Sequence, residues 1–408
     1  MQEKINLIEA KQFLSAATDM KDELIKIRRT LHQNPETGRN LPRTQKLIIE
    51  KLIKYGYEPQ AFNEGGVTAV ISNEREFTPQ ESKKTFLLRA DMDALAVKEK
   101  TKLSFRAKNG NMHACGHDMH AAMLLGAAKL LRQYESELNG NVKLVFQPDE
   151  EGFKGAKSMI AAGVLNAPNV NAAMALHVHS GTPSGMILCG TGTCMAGCTV
   201  FRITVKGKGC HGAMPETGAD SVTAAAHIHC ALQEIAAREV SAKDALVITV
   251  GKFTAGEAPN VIPQEAVLEG TIRALDEKTG EFAFRRVREI AESTANAFRC
   301  KAIVSETASV PPLFNDPVTV NELSGYARAL AGEKAVFSFS EGGMGSEDFS
   351  SYTQKIPCAY LLIGAGAKTE NELFGEPMHN EKVIFNEDIL PLGAALYAFS
   401  AINWLKKH

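Results

Sequence analysis

The chain has 408 residues, 44% hydrophobic and 23% charged, which is enough material for a large buried core and for more than one domain. Its 45 basic and 47 acidic residues nearly cancel, so a nucleic acid or an anionic membrane is not expected as a partner, and a small-molecule substrate fits better. The first residues lack the apolar stretch of a secretion signal, and the eight cysteines lack disulfide-framework spacing, so we expect a reducing, cytoplasmic location.

Helices and strands alternate in the first half of the predicted structure. Helical spacing of apolar residues predicts helices over 24–31, 44–55 and 156–162, and a helix that starts at Asp118 with that residue as its cap. A polar stretch over 73–84 predicts a solvated loop. Short apolar runs predict buried strands over 67–72, 85–90, 142–146 and 172–178. This alternation is typical of an α/β fold with a parallel or mixed sheet, in which functional groups lie beyond the carboxyl ends of the strands.

The pattern changes near Ala196. Strands are predicted over 199–205, 245–253, 266–275 and 302–306, with helices over 219–238 and 277–298. The order strand-helix-strand-strand-helix-strand is that of a ferredoxin-like α+β domain. We therefore predict a catalytic domain in two parts, 1–195 and 308–408, with an inserted domain over 196–307. The second part carries predicted helices over 318–331 and 388–406, a glycine-rich loop over 341–345 and a strand over 359–363.

Three of the eleven histidines and one cysteine fall between Met112 and His120, just before a predicted helix. Cys115 and His117 are two residues apart, and Gly116 between them allows a bent loop that points both side chains the same way. A thiolate with imidazoles suits zinc, and cobalt, nickel or manganese become suitable when carboxylates take part. The alternative is a buried structural thiol with histidines that cap the helix. The pair Cys194 and Cys198 is interpreted as small residues in a hinge, with a second metal or redox site as the alternative.

The adjacent carboxylates Glu150 and Glu151 follow a predicted strand. Two such charges repel unless a cation or a proton is shared. Because neighbouring side chains should not both aim at one metal, we expect one to be a ligand and the other a general base that moves a proton from water to a leaving amine. A solvated acidic turn is the alternative.

Two further positions carry candidate ligands. His177 and His179 lie on one face of a predicted strand, and His177 is favoured as a ligand over a satisfied core histidine. His379 lies in a loop and, taken alone, is expected at the surface. Asp91 and Asp93 follow the end of another predicted strand.

These residues resemble a known family, the dinuclear metal aminoacylase and carboxypeptidase metallopeptidases, in the amidohydrolase branch with hippurate and auxin-conjugate hydrolases. The similarity extends over almost the whole chain. Its motifs are RRTLH (28–32) with PE (35–36), LRADMDAL (88–95), HACGHDMH (113–120), FQPDEEG (146–152), GCHGAMP (209–215), NVIP (260–263), GTIRA (270–274) and GSEDF (345–349).

The resemblance implies two divalent metal ions (Zn, Mn, Co or Ni) with Cys115 as the bridging ligand. It assigns the other ligands as His117 and His177 for one metal and Glu151 and His379 for the other. Glu150 would be the general base, and Asp93 an acid that orients an imidazole. Asp149 departs from the small residue usual in the family, and is expected either to raise the pKa of Glu150 or to face solvent. The loop around His379 also departs, which leaves the acyl preference undefined.

The resemblance further implies that the insert is a lid and dimerisation domain of a homodimer. His211, Asn260 and Arg273 there would hold the substrate carboxylate and the developing oxyanion, partly from the neighbouring subunit. The expected activity is hydrolysis of the amide of an N-acyl amino acid. The alternatives are a metallo-carboxypeptidase or dipeptidase on the same site, a thiol hydrolase with Cys115 as nucleophile, and a non-catalytic metal-binding protein.

Overall fold

The computed structural model describes residues 7–73 and 83–408. Most of the predicted loop over 73–84, and the first residues of the chain, lie outside this description. The described chain divides into two compact units: the first runs to Gly192 and continues over Phe314–Glu341 and Ser351–His408, and the second comprises Thr193–Leu313 and Gly342–Ser350. The predicted limits 1–195, 196–307 and 308–408 stay a prediction, because spatial grouping does not test which segments fold independently.

A mixed sheet forms the centre of the first unit, which confirms the predicted α/β class. Within the described residues it has eight strands in the order β1-β2-β4-β3-β5-β16-β6-β15. The pairs β3 with β4, β3 with β5, β5 with β16 and β6 with β15 are parallel, and the others are antiparallel. The strands are β1 (Gln60–Ala61), β2 (Val67–Ser72), β3 (Thr85–Asp91), β4 (Asn141–Gln147), β5 (Ala172–His179), β6 (Ile187–Gly190), β15 (Val336–Phe339) and β16 (Cys358–Gly364).

Three neighbouring parallel strands, β4, β3 and β5, place the polar residues that follow them at one edge of the sheet. Every residue of β3 and β4 is buried, as expected for strands covered on both faces. Gln147 lies opposite Asp91 in the register, so the residues after β3 and those after β4 start from the same level. Asp93 and Glu150 follow β3 and β4 and therefore lie beyond these carboxyl ends, where functional side chains are expected to gather.

The helices of the first unit bury apolar faces against this sheet and against one another. Their bounds are α1 (Leu7–Thr18), α2 (Lys21–Gln33), α3 (Pro42–Lys54), α4 (His117–Gln133), α5 (Gly155–Ala161), α8 (Pro317–Ala331), α9 (Ser350–Thr353) and α10 (Leu390–Lys407). The prediction that Asp118 caps α4 is wrong. The cap position is Gly116 with φ +84°, and Asp118 accepts a hydrogen bond from His32 Nδ1 (2.8 Å) and forms an ion pair with Arg28 Nε (2.7 Å) in the interior.

Helix α1 and strands β6 and β15 were not predicted from the sequence. The two strands have four residues each, too few to establish a periodicity, and they pair only with segments distant in the chain. Helix α1 buries Ala10, Phe13 and Ala17 at helical spacing, but it lies within a charged segment. The two strands are therefore defined by tertiary packing, whereas α1 has a local apolar pattern.

The second unit has the ferredoxin-like order that the sequence predicts. Its antiparallel sheet runs β10-β12-β8-β13, and α6 and α7 follow β8 and β12 in the chain. A short π-helical segment, Ile235–Glu239, continues α6. The elements are β8 (Gly197–Lys206), β9 (Cys210–His211), α6 (Ser221–Glu234), β10 (Leu246–Ala255), β11 (Val261–Ile262), β12 (Glu265–Ala274), α7 (Glu277–Ala297) and β13 (Lys301–Val310). Strands β7 (Gly192–Met195) and β14 (Leu313–Asn315) lie at the limits of the unit in the sequence.

Glu23 joins three helices of the first unit. Its carboxylate accepts hydrogen bonds from Lys129 Nζ (2.7 Å) on α4 and from Tyr55 Oη (2.9 Å) after α3, and Lys51 Nζ lies 3.4 Å away. Burial opposes ionisation, but these donors lower the pKa of Glu23 to about 2. A lowered pKa in the folded state means that the contribution to stability is complete above the unfolded pKa and is lost as pH falls through the folded value.

We therefore expect Glu23→Gln to destabilise the protein by about 1–2 kcal/mol at pH 7, allowing for solvent screening at this partly exposed site. The difference from the wild type should shrink as pH falls from about 4.5 toward 2. Urea unfolding at several pH values measures it. Glu50→Gln on the exposed face of α3 is the matched control, since within the described part of the chain Glu50 has only a loose ion pair, with Lys46 at 3.8 Å. A pH-independent difference would contradict the assignment.

One segment of the described chain, Glu387–Lys407, is long and apolar enough to cross a membrane by length and composition. Of its most apolar window, 83% is buried inside the protein. Burial of this kind is what a core helix requires.

Candidate metal centre

Cys115 lies at the centre of the predicted ligands. Its Sγ is 3.5 Å from His177 Nε2 and 3.2 Å from His379 Nε2. One donor atom each from Cys115, His117 and His177 lies within 4.8 Å of the other two. A second such group consists of Cys115, Glu151 and His379. The thiol is therefore common to two donor groups, which is the arrangement that a bridging ligand between two cations requires.

Local backbone geometry brings these side chains together. Gly116 has φ +84°, and a Cβ there would collide with Val178 of β5, so the bend between Cys115 and His117 requires glycine. His379 also adopts a left-handed conformation, with φ +67°, while its N–H donates to Ala114 O (2.9 Å). The His379 loop is thus fastened directly to the loop that carries Cys115.

Asp93 organises the turn that follows β4. Its Oδ1 accepts from the backbone N–H of Glu150 (3.1 Å) and its Oδ2 from that of Glu151 (3.2 Å). Its carbonyl oxygen accepts from His117 Nδ1 (2.9 Å). One residue therefore fixes both the glutamate pair and the orientation of an imidazole.

Both glutamates lie near His117. Its Nε2 is 3.9 Å from Glu150 Oε2 and 4.0 Å from Glu151 Oε1. The premise that adjacent side chains cannot aim at one point is therefore wrong here. It holds for an extended strand, whereas these residues lie in a turn that begins with Asp149 at φ +56°.

The donor atoms suit cations. His117 Nδ1 donates to Asp93 O and His177 Nδ1 donates to Val178 O (2.6 Å), which leaves Nε2 of each ring as the candidate donor atom. His117 Nε2 and Glu151 Oε1 are buried and have no hydrogen-bond partner among the described residues. Buried polar atoms without partners are costly, and a thiol, three imidazoles and carboxylates are a set that divalent transition metals bind.

Protonation of the cluster reflects its burial. Burial raises the pKa of the Cys115 thiol well above its usual value, and raises that of Glu151 to about 7. Although burial opposes a charged ring, the Asp91 carboxylate raises the pKa of His117. Without compensating positive charge, the thiol therefore stays protonated at neutral pH.

A second layer of contacts, not identified from the sequence, supports the centre. His120 Nδ1 donates to Asp91 Oδ1 (2.5 Å), and His120 Nε2 accepts from Val178 N–H (2.9 Å). Arg89 Nη1 also donates to Asp91 (2.6 Å). This chain of bonds ties the strand end that carries His177 to β3. In the sequence, this network is indicated by the two charged residues Arg89 and Asp91 within the otherwise apolar strand β3.

His113, His179 and Asp149 are further titratable residues close in sequence to the proposed ligands. His113 is buried, and burial lowers its pKa to about 3; His179 Nδ1 lies 2.8 Å from Thr182 Oγ1. Neither belongs to a donor group among the described residues. Asp149 does not face solvent, because it is 8% exposed and accepts from Arg39 Nε at 2.8 Å, which neutralises the third acid of the motif.

We expect Asp93→Asn to weaken metal binding by about 10- to 100-fold, since the amide loses half of the acceptor capacity that holds the glutamate turn. Competition with a chromophoric chelator measures the affinity. Asp316→Asn is the matched control, because Asp316 likewise accepts backbone N–H groups but does so at the start of α8. Equal metal affinity in Asp93→Asn and the wild type would exclude the role assigned to Asp93.

The remaining predicted residues lie in the second unit. His211 on β9 and Asn260 lie side by side, since Val261 pairs with His211 in the register and Gly212 N–H donates to Asn260 O (2.8 Å). Both side chains are exposed. Arg273 lies on β12, where its Nη1 donates to Met344 O (3.1 Å) and Ser346 Oγ (3.0 Å).

Comparisons with known proteins identify the family. The profile described as peptidase family M20/M25/M40 matches residues 87–403. IAA-amino acid hydrolase ILR1-like 2 of Arabidopsis thaliana is 38% identical over 95% of this chain and 86% of its own. Thermostable carboxypeptidase 2 of Saccharolobus solfataricus is 38% identical over 95% of this chain and 97% of its own.

A solved structure agrees with these matches. The Bacillus subtilis YXEP protein, described as a dinuclear metal binding peptidase from the M20 family, has a TM-score of 0.78 and 31% identity, covering 96% of this chain and 99% of that one. The predicted resemblance is thereby confirmed: the chain belongs to peptidase family M20/M25/M40.

Proposed function

We propose that this enzyme is a metal-dependent amidohydrolase that cleaves the linear amide bond of an N-acyl amino acid, releasing a carboxylic acid and a free amino acid. The observation that supports it most is the convergence of Cys115, His117, His177, Glu151 and His379 beside the buried carboxylate of Glu150. The match to a plant hydrolase of IAA-amino acids points to the same bond type.

The proposed ligand set has Cys115 shared between two divalent cations (Zn, Mn, Co or Ni). His117 and His177 would hold one cation, and Glu151 and His379 would hold the other. The two overlapping donor groups around the thiol support this division. Such cations, when bound, would acidify water and polarise the amide carbonyl.

Glu150 is the proposed proton carrier. Its carboxylate accepts a proton from the attacking water as the new C–O bond forms, and its carboxyl then donates that proton to the amine nitrogen as the C–N bond breaks. The N–H of Glu150 is held by Asp93, which fixes the position from which the side chain projects. Burial keeps bulk water from competing for the proton.

His211, Asn260 and Arg273 are the proposed substrate-binding residues. A guanidinium binds a carboxylate through two parallel hydrogen bonds, so Arg273 suits the free carboxylate of an N-acyl amino acid. His211 is proposed to donate to the oxyanion that develops on the carbonyl. The pairing of β9 with β11 supports a joint role for His211 and Asn260.

We further propose a homodimer that forms through the second unit. Strand β10 is an edge strand, and Val247 and Phe253 on it are each 41% exposed. An unpaired edge with exposed apolar side chains invites pairing with a second copy. Light scattering of the purified protein measures the mass, and a monomer at micromolar concentration would contradict the proposed dimer.

All eight cysteines are free thiols, which supports a reducing cytoplasmic location.

Turnover of defined substrates tests the proposed function. The metal-free protein is reloaded separately with zinc, manganese, cobalt or nickel and given N-acetyl amino acids, N-benzoyl amino acids and dipeptides. We expect cleavage of the acyl amino acids that depends on added metal. Failure of every metal form on the whole panel would refute the amidohydrolase assignment and revive a non-catalytic metal-binding protein.

A carboxypeptidase activity at the same site is the second candidate, favoured by the match to a thermostable carboxypeptidase over nearly the whole chain. Both reactions use a substrate that has a free carboxylate next to the scissile amide. The ratio of kcat/KM for an N-acyl amino acid to that for a peptide carrying the same C-terminal residue distinguishes them. A ratio above one supports the amidohydrolase, and a ratio below one the carboxypeptidase.

A further inference from the structure

Among the described residues, Arg273 is tethered through one of the three nitrogen atoms of its guanidinium group. Within the described residues, Nη1 donates to Met344 O and Ser346 Oγ, whereas Nε and Nη2 have no hydrogen bond. Arg273 also makes no ion pair with any described carboxylate, although it is only partly exposed. The edge formed by Nε and Nη2 is a pair of parallel donors, which is the geometry that binds a carboxylate with two bonds.

Ser346 is held in place on its other side. Its side chain hydrogen-bonds Cys198, which lies directly opposite Arg273 in the pairing of β8 with β12. Because opposite residues of paired strands project to the same face, Cys198 and Arg273 both reach the Ser346 hydroxyl. That hydroxyl accepts from Arg273 while its own proton is available to the sulfur.

The loop that carries Ser346 is fastened by backbone hydrogen bonds. Ala196 N–H donates to Gly343 O (3.0 Å) and Gly345 O (2.9 Å), and Gly343 N–H donates to Cys194 O (3.0 Å). Gly342 packs so closely that a Cβ there would lie 2.7 Å from Thr193 O. The Ser346 hydroxyl is therefore presented by a fixed backbone rather than by a mobile loop.

We propose that Ser346 is a positioning residue for substrate selection. By holding Nη1 of Arg273, it turns the Nε and Nη2 edge outward toward the free carboxylate of the substrate. This inference rests on the proposed function, because it takes Arg273 as the carboxylate-binding group. Without the hydroxyl, Nη1 keeps the bond to Met344 O alone among the described residues. The guanidinium can then rotate more freely about its last bonds, and its two parallel donors are less well aligned in advance. Ser346 thereby favours substrates with a free carboxylate over the corresponding amides.

Kinetics with a matched pair of substrates test the proposal: an N-acyl amino acid and the same compound with its carboxylate converted to the carboxamide. We expect Ser346→Ala to raise KM for the acid by about tenfold, as for the loss of one charged hydrogen bond, with kcat changed by less than about twofold. The preference for the acid over the amide should fall by the same factor. Ser346→Thr keeps the hydroxyl and should restore the preference, and Ser338→Ala on an exposed strand position is the control.

An equilibrium measurement separates this proposal from the proposed function. Calorimetry with Glu150→Gln protein gives the affinities for the same acid and amide without turnover. If the difference between the affinities for the acid and the amide is lost in the Ser346→Ala background, the positioning role is supported. This holds even if the wild type hydrolyses no substrate, because that result would refute the proposed function alone. An unchanged difference in both Ser346→Ala and Ser346→Cys, whose thiol is somewhat larger and accepts hydrogen bonds weakly, overturns the proposal.

Discussion

Glu150→Gln is expected to lower kcat by about 10,000-fold, the upper end of what general acid–base catalysis contributes, because one carboxylate serves two proton transfers. The amide of Gln has nearly the same shape but does not accept a proton from water at neutral pH. The backbone of residue 150 is held by Asp93, and its side chain lies in a turn that the substitution leaves intact. KM should change little, since the carboxylate is not assigned a role in binding.

Metal content distinguishes this loss from a loss of the centre. Elemental mass spectrometry should find the same metal content in Glu150→Gln as in the wild type. Glu151→Gln is expected to lose metal, because a neutral amide is a weaker ligand than the proposed carboxylate, whose buried Oε1 has no hydrogen-bond partner among the described residues. Glu333→Gln, at an exposed site far from both in sequence, controls for removal of a surface charge. A Glu150→Gln enzyme within about tenfold of wild-type kcat would show that another group carries the proton.

The centre was predictable from the sequence wherever a local pattern fixes a side chain at a strand end. Asp93 and the Glu150 pair follow buried strands, and once β3 and β4 are parallel neighbours their carboxyl ends must lie at one edge. The Cys115 and His117 pair was recognisable because glycine between them permits the bend. Those inferences needed only short-range geometry and the rule for parallel strands.

Other features had no local signal. His379 is 264 residues from Cys115, and its left-handed backbone is held by a bond to Ala114, so spacing alone could only suggest a surface histidine. The pairing of Asp149 with Arg39 spans 110 residues, which is why the third acid was expected either to act on Glu150 or to face solvent. Without the family resemblance, His379 would have been missed.

In the second unit, too, local patterns in the sequence predict the fold, whereas long-range contacts have no local pattern. The alternation of apolar residues predicted the strands and their order, because each strand has one face on a core. The tether between Arg273 and Ser346 spans 73 residues and joins a strand to a glycine-rich loop. Hydrogen bonds of this kind leave no periodic pattern in a sequence. The strand order of the second unit can therefore be predicted from the sequence, whereas the contacts that hold the Arg273 guanidinium cannot.

Cys115→Ser is expected to lower kcat/KM by at least about 1,000-fold, together with the loss of bound metal, because a serine hydroxyl is a far poorer ligand than a thiolate for zinc and related cations. The two donor groups around the thiol both include Cys115, so a single substitution would affect both of the proposed cations. Cys358→Ser is the matched control: Cys358 is also buried, and burial also raises the pKa of its thiol, but it lies within β16 and belongs to no donor group among the described residues.

The same variant separates the metalloenzyme from a thiol hydrolase, in which Cys115 would be the nucleophile. A nucleophilic cysteine needs a lowered pKa, whereas burial raises that of Cys115 well above its usual value. A metalloenzyme loses activity in chelator and regains it when metal is returned, and alkylating reagents act faster after the metal is removed. A thiol hydrolase stays active in chelator and is inactivated by alkylation with or without metal. These two results together would refute the metal-dependent mechanism and support covalent catalysis by the Cys115 sulfur atom.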